Sequence, residues 1–270
     1  AGHESPFSAL LCAAFCHRMS LFCRLVTGQA IKKRQVAGES DTQSAQHPGC
    51  NVTGTDRTGF RGRHLWKRSG GTGCSHTSDG YVMLRYSGSN EKVKVQVTLP
   101  EGTEYTYPVT ASEDYFVYPL PGGNGTYKIT LLESVSAEDH LYAVSFTQDL
   151  DVQISDAFSP FLYPNFYVNF NSDSACVKKG EELAQGCNTD LDAITNIYNY
   201  VIENITYDEK KAASVPYGYI PVPDDTLSSG TGICFDYASL MSAMLRSQRI
   251  PTKLDVAIPV TFTTHGSAAM

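Results

Sequence analysis

The chain has 270 residues, 41% of them hydrophobic and 11% aromatic, which is enough apolar content for one or two packed domains. Its formal net charge of −7 argues against a general nucleic-acid binder. The average conceals a break near Thr77: the residues before it hold ten Lys/Arg against four Asp/Glu, and the remainder is strongly acidic.

Residues 1–76 carry five of the eight cysteines (Cys12, Cys16, Cys23, Cys50 and Cys74), and their spacings match no paired zinc pattern. The apolar run Phe7–Phe15 is shorter than the roughly 20 residues of a membrane span, and no basic residue precedes it, so it is not read as a signal peptide. No sustained period of 2 or 3.6 runs through this segment. A disordered basic tail, a cysteine-rich module and an out-of-frame translation all fit, and the last is preferred.

From Gly80 the texture changes. Tyr81–Tyr86 reads as a strand, and Lys92–Leu99 alternates strictly, with Val93, Val95, Val97 and Leu99 on one face. Thr103–Val109, Tyr115–Leu120, Thr126–Leu132, Leu141–Thr147 and Leu150–Ile154 continue the series, with a turn at Pro121–Gly125. Short, evenly spaced strands with Gly/Asn turns predict a β-sandwich over residues 77–155. Nothing in it carries obvious chemistry, so it is expected to position the next domain.

Residues 156–188 read as a linker with a short helix near Lys178–Leu183. The aromatic run Phe158–Phe170 could be a carbohydrate platform, but packing of its rings onto both neighbouring domains is the preferred reading. Cys176 and Cys187 could form a disulfide in an oxidising compartment or stay free thiols. Thr189 or Asp190 can cap a helix whose apolar face runs Leu191, Ile194, Ile197, Tyr198, Val201, Ile202 and Ile205. Thr206-Tyr207-Asp208 ends it, and Val215–Leu227 reads as a loop rich in Pro, Tyr and Gly.

The segment with chemistry is Gly232–Pro251. A Gly/Ser-rich loop leads into a run without a helix breaker, so Cys234 is expected at a helix N-terminus. The unpaired N–H groups there favour a thiolate and can stabilise an oxyanion on an attacked carbonyl. Ala238, Met241, Met244 and Leu245 are expected to bury the helix. The plain alternative is a buried, inert cysteine acting as a small hydrophobe.

The run G-x-C-x-D-Y-A-x-L, continuing to Ile250-Pro251, resembles the nucleophile helix of the transglutaminase-like family, within the papain-like superfamily of folds. The helix ending Val201–Asp208 is similar to that family's entry helix. The resemblance covers roughly Leu191 to Ala257. It implies an α+β fold: the N-terminal β-sandwich-like module followed by an incomplete papain-like core over 189–270. It also implies that Cys234 attacks a carboxamide or peptide carbonyl to give a thioester, resolved by water or an amine. The chain is then expected to descend from a cysteine hydrolase, thiol protease or transamidase acting on peptide or cell-wall amides, secreted or on a bacterial surface. No cofactor, metal, nucleic acid or transmembrane span is expected. Asp236 and Tyr237 match motif positions and are expected to pack or to start the helix. A non-catalytic surface binding protein with a degenerate domain is the alternative.

Two departures qualify the resemblance. Arg249 stands where the family usually has the glycine that ends the helix, at a cost of about 1 kcal/mol. His265 lacks the Ala-Trp that follows the family's histidine. Read one base earlier, codons for Thr-His-Gly-Ser can spell His-Ala-Trp-Ile. A change of frame between Leu254 and Thr264, and another near His76, is therefore expected. On that reading His265 is accidental and the chain inactive.

Overall fold

A computed structural model describes residues 64–67, 70–73, 76–112, 114–136, 141–216 and 218–255. The expectations for the five N-terminal cysteines, for Phe7–Phe15 and for His265 fall outside these residues, and the two expected frame changes lie at their borders, near His76 and beyond Leu254.

Two four-stranded antiparallel sheets form the first unit. One has the order β1 (His64–Lys67), β2 (Gly70–Gly73), β3 (Tyr81–Tyr86), β6 (Phe116–Pro119). The other has the order β5 (Glu104–Val109), β4 (Val93–Thr98), β7 (Gly125–Ser134), β8 (Tyr142–Val152). The first sheet thus takes in two strands upstream of Thr77, with Gly70 opposite Tyr86 and Gly73 opposite Met83. The alternation of β4 does what it predicts. Val93, Val95, Val97 and Leu99 are all buried, while Lys94, Gln96 and Thr98 are only partly so. These residues pack with Val82, Leu84, Tyr118, Tyr127 and Ile129 in one core drawn from both sheets. Each such side chain contributes about 1.5–3 kcal/mol by leaving water.

The two strands expected over Leu141–Ile154 are one, β8. It lies at the edge of its sheet and pairs with β7 from Tyr142↔Ser134 to Val152↔Gly125, with an irregularity at Leu131/Leu132. The polar Gln148-Asp149 step does not interrupt it. Period-2 alternation turns Asp149 and Asp151 outward while Leu150 and Val152 stay in the core.

The helical unit follows: α1 (Ala175–Ala184), α2 (Asp190–Asn204), α3 (Glu209–Ser214), α4 (Pro223–Ser229) and α5 (Cys234–Ser247), with β9 (Thr206–Tyr207) parallel to β10 (Thr231–Gly232). Thr189 caps α2 in a full capping box. Its hydroxyl accepts the Asp192 N–H at 3.1 Å, and the Asp192 carboxylate accepts the Thr189 N–H at 3.0 Å. The buried stripe of α2 is Ala193, Ile194, Ile197 and Val201, whereas Leu191 and Ile202, expected on it, are 59% and 50% exposed. The stripe is narrower because α2 packs on neighbours along one side only. Leu240, Ala243, Met244 and Leu245 of α5 complete this second core with Val168, Phe170, Cys176 and Val177.

Helix α3 lies between Asp208 and Val215, where no element is expected, and α4 takes up the end of the loop expected over Val215–Leu227. Asp208 caps α3 by accepting the Lys211 N–H at 2.9 Å, and Pro223 opens α4. Cys176 and Cys187 are free thiols. Cys176 is the second residue of α1, whereas Cys187 lies past its end and its thiol bonds the Leu183 carbonyl of the last turn at 3.7 Å, ~10 Å along the axis from Cys176. A disulfide needs Cα atoms within about 7 Å, so the bridged alternative is excluded.

The aromatic run joins the units. The Phe166 N–H bonds the Val117 carbonyl at 2.9 Å, and its ring stacks on Tyr118. The next ring, Tyr167, lies 5.6 Å from Tyr107 and 5.2 Å from Phe235 of α5.

Candidate functional site

Cys234 is the first residue of α5 and is partly exposed. The chain reaches it through β9 and β10. The Thr206 N–H donates to the Gly230 carbonyl at 2.8 Å and the Asp208 N–H to the Gly232 carbonyl at 2.9 Å. Gly230 leaves α4 in a left-handed conformation, φ 64°. Gly232 has no room for a side chain, because a Cβ there would come 2.7 Å from the Asp236 Cβ.

Asp236 starts the helix, as its motif position suggests. It is fully buried, and its Oδ2 accepts the Ile233 N–H at 2.8 Å. Two further donors close on it. Lys211 Nζ reaches Oδ2 at 2.7 Å and the Tyr219 hydroxyl donates to Oδ1 at 2.6 Å. Lys211 also donates to the Tyr219 oxygen at 2.7 Å, so the three side chains form a closed ring of hydrogen bonds. Partial burial alone would lower the Lys211 pKa. The bonds to Asp236 and Tyr219 outweigh it and hold the ammonium above its ordinary value. Burial first, then the bond to Asp236, raises the Tyr219 phenol.

The rest of α5 is tied down in the same way. The Tyr237 hydroxyl donates to the Ile205 carbonyl, and Ser239 donates to the Tyr167 carbonyl at 2.6 Å. The burial expected from Ala238 and Met241 falls instead on Ser239, Leu240, Ser242 and Ala243, because α5 is packed by α1, α2 and α4. Ala238 and Met241 are only partly buried, and Met244 and Leu245 are buried as expected.

Cys176 makes a useful contrast. Burial first, then the adjacent Asp224 carboxylate, pushes its thiol far above the ordinary range, so it stays neutral. Asp224 accepts the N–H groups of Ala175 and Cys176 at 3.1 and 2.9 Å, which caps α1 and holds the carboxyl below its usual range against the opposing effect of burial. Among the described residues, no group of three or more His, Cys, Asp and Glu could hold a metal ion, and no helix is long and apolar enough to cross a membrane.

Lys211 and Tyr219 are the members of this site that the sequence did not single out. The only signal for α3 is the Asp208 cap, and nothing local links either residue to Asp236. A partly exposed cysteine thus opens a largely buried helix, just behind the glycine of a short strand. In keeping with it, residues 178–265 match the family model of the transglutaminase-like superfamily, a superfamily of cysteine hydrolases and transamidases. The chain therefore contains a transglutaminase-like domain, and its fold is α+β. The match extends through His265.

Among curated proteins the chain is similar to the UPF0252 protein MJ1282 of Methanocaldococcus jannaschii, 38% identical over 71 residues. That match covers 24% of this chain and 20% of the relative, so the chain spans about a fifth of the relative's length.

Proposed function

We propose that this domain performs acyl transfer through Cys234, as an amide hydrolase or a transamidase on peptide or carboxamide bonds. The observation that carries the reading is the place of Cys234: first residue of α5, partly exposed, within the matched segment. The thiolate adds to the carbonyl carbon, and the carbonyl electrons move onto oxygen, where N–H groups at the helix N-terminus can stabilise the charge. Collapse of this intermediate expels the amine or ammonia with a proton and leaves a thioester. Water then gives the acid, or a second amine gives a new amide, and the thiol is restored. The proton transfers need an acid–base partner, and we assign that role to His265, which the matched segment reaches outside the described residues, in place of the expectation of an accidental histidine and an inactive chain.

The test is ammonia release from a glutamine-containing peptide, together with incorporation of a fluorescent primary amine. Cys234→Ala is expected to lower both at least a hundredfold, while Cys187→Ala leaves them unchanged. Turnover that survives in Cys234→Ala would overturn the proposal.

A further inference from the structure

We propose that Lys211 is a positioning residue for Cys234: its ammonium neutralises the buried Asp236 carboxylate, so that the N-terminal turn of α5 can hold both the cap and a thiolate. The inference rests on the nucleophile reading of Cys234 and adds to it.

The helix start sets up a conflict. Asp236 must present a carboxylate to the Ile233 N–H at 2.8 Å, since this bond shapes the turn that delivers Cys234. The same carboxylate is fully buried and only two residues from the sulfur, in the same helical turn. A negative charge there opposes a second negative charge on Cys234, and burial leaves little water to screen it. Lys211 Nζ, 2.7 Å from Oδ2, removes the conflict without removing the cap. Tyr219 holds the pair in register by donating to Oδ1 and accepting from Lys211.

The other acids on neighbouring elements are turned elsewhere. Asp208 accepts the Lys211 N–H, Asp224 accepts the N–H groups of Ala175 and Cys176, and Glu209 and Asp225 are exposed. Among aromatic hydroxyls near this end of α5, Tyr237 is bonded to the Ile205 carbonyl. Lys211 is therefore the cation that the described structure places against Asp236, and its side chain is 32% exposed while the carboxylate is fully buried.

The readout is the pH profile of Cys234 alkylation by iodoacetamide on the full chain, resolved by peptide mass spectrometry, with Cys187 as internal reference. Lys211→Gln keeps a hydrogen-bond donor but no charge, and is expected to move the Cys234 midpoint up by about one pH unit. Lys211→Arg keeps the charge and is expected to stay within a few tenths of a unit of the parent. The double variant Lys211→Gln/Asp236→Asn removes both charges and is expected to return the midpoint to the parent value. That arm serves also where Lys211→Gln alone fails to fold around an uncompensated carboxylate.

An unmoved midpoint in folded Lys211→Gln, an equal rise in Lys211→Arg, or a raised midpoint in the double variant would each overturn the role. A parent Cys234 that alkylates no faster than Cys187 at any pH overturns the nucleophile reading itself, and this inference with it.

Discussion

Arg249 shows most directly how one residue carries a structural cost. It is the only non-glycine among the described residues with a positive φ, 63°. The helix end around it is a Schellman motif: the Arg249 N–H donates to the Arg246 carbonyl at 2.9 Å and the Ile250 N–H to the Leu245 carbonyl at 3.0 Å. Ile250 and Leu245 are both buried, which supplies the hydrophobic contact that accompanies this cap. The motif needs a left-handed residue, so the chain adopts one although a side chain disfavours it. Arg249→Gly is expected to raise stability by about 1 kcal/mol, read as a higher urea midpoint with an unchanged slope. A lowered midpoint would mean that contacts of the Arg249 side chain outweigh its backbone strain.

At the scale of the element, the start of α5 depends on two segments the local sequence does not join to it. Lys211 on α3 and Tyr219 in the next loop both have pKa values raised in the folded state. For each, the protonated form is the one folding favours. Their contribution is therefore fully present below the unfolded values, about 10 for both groups, and is lost as pH rises through the higher folded values. The stability difference between the parent and Lys211→Met is expected to be constant from pH 7 to 9 and to shrink above about pH 10. Urea melts of the pair across that range measure it. A difference that grows with pH would show that Lys211 is not held by Asp236 and Tyr219.

At the scale of the whole molecule, a buried guanidinium joins the aromatic segment to the helical unit. Arg246, near the end of α5, is 2% exposed. Its Nη1 donates to the Tyr163 carbonyl at 2.7 Å, and its Nε and Nη2 donate to the Thr252 carbonyl at 3.0 and 2.7 Å. The Thr252 N–H in turn bonds the Phe161 carbonyl at 2.9 Å, so the segment leaving α5 is stitched to the one that enters the helical unit. Arg246→Met fits the volume but strips two carbonyls of these donors. It is expected to cost about 2–4 kcal/mol. Calorimetry is expected to show a lower transition temperature that splits into two steps as the sandwich and the helical unit uncouple. An unchanged single transition would place the coupling in the Phe166, Tyr167 and Phe235 rings instead.

The sequence by itself determined what depends on neighbours along the chain. The period-2 run of β4 named its buried face, the Thr189-Asp190 pair marked where α2 is capped, and the Gly232–Pro251 pattern placed Cys234 at the start of its helix. Even the misfit of Arg249 was visible, because a helix that ends before Ile-Pro needs a left-handed residue whatever its side chain. Tertiary structure decided what depends on distant partners. The buried side of α5 shifted toward Leu240 and Ala243 because the faces of three other helices select it, and sequence spacing alone could not. The ring of Lys211, Tyr219 and Asp236 joins residues 17 and 25 positions apart, and no local period records such a meeting. A hydrogen bond to a fully buried carboxylate is set by the fold that removes water from it, and only the folded chain brings that about.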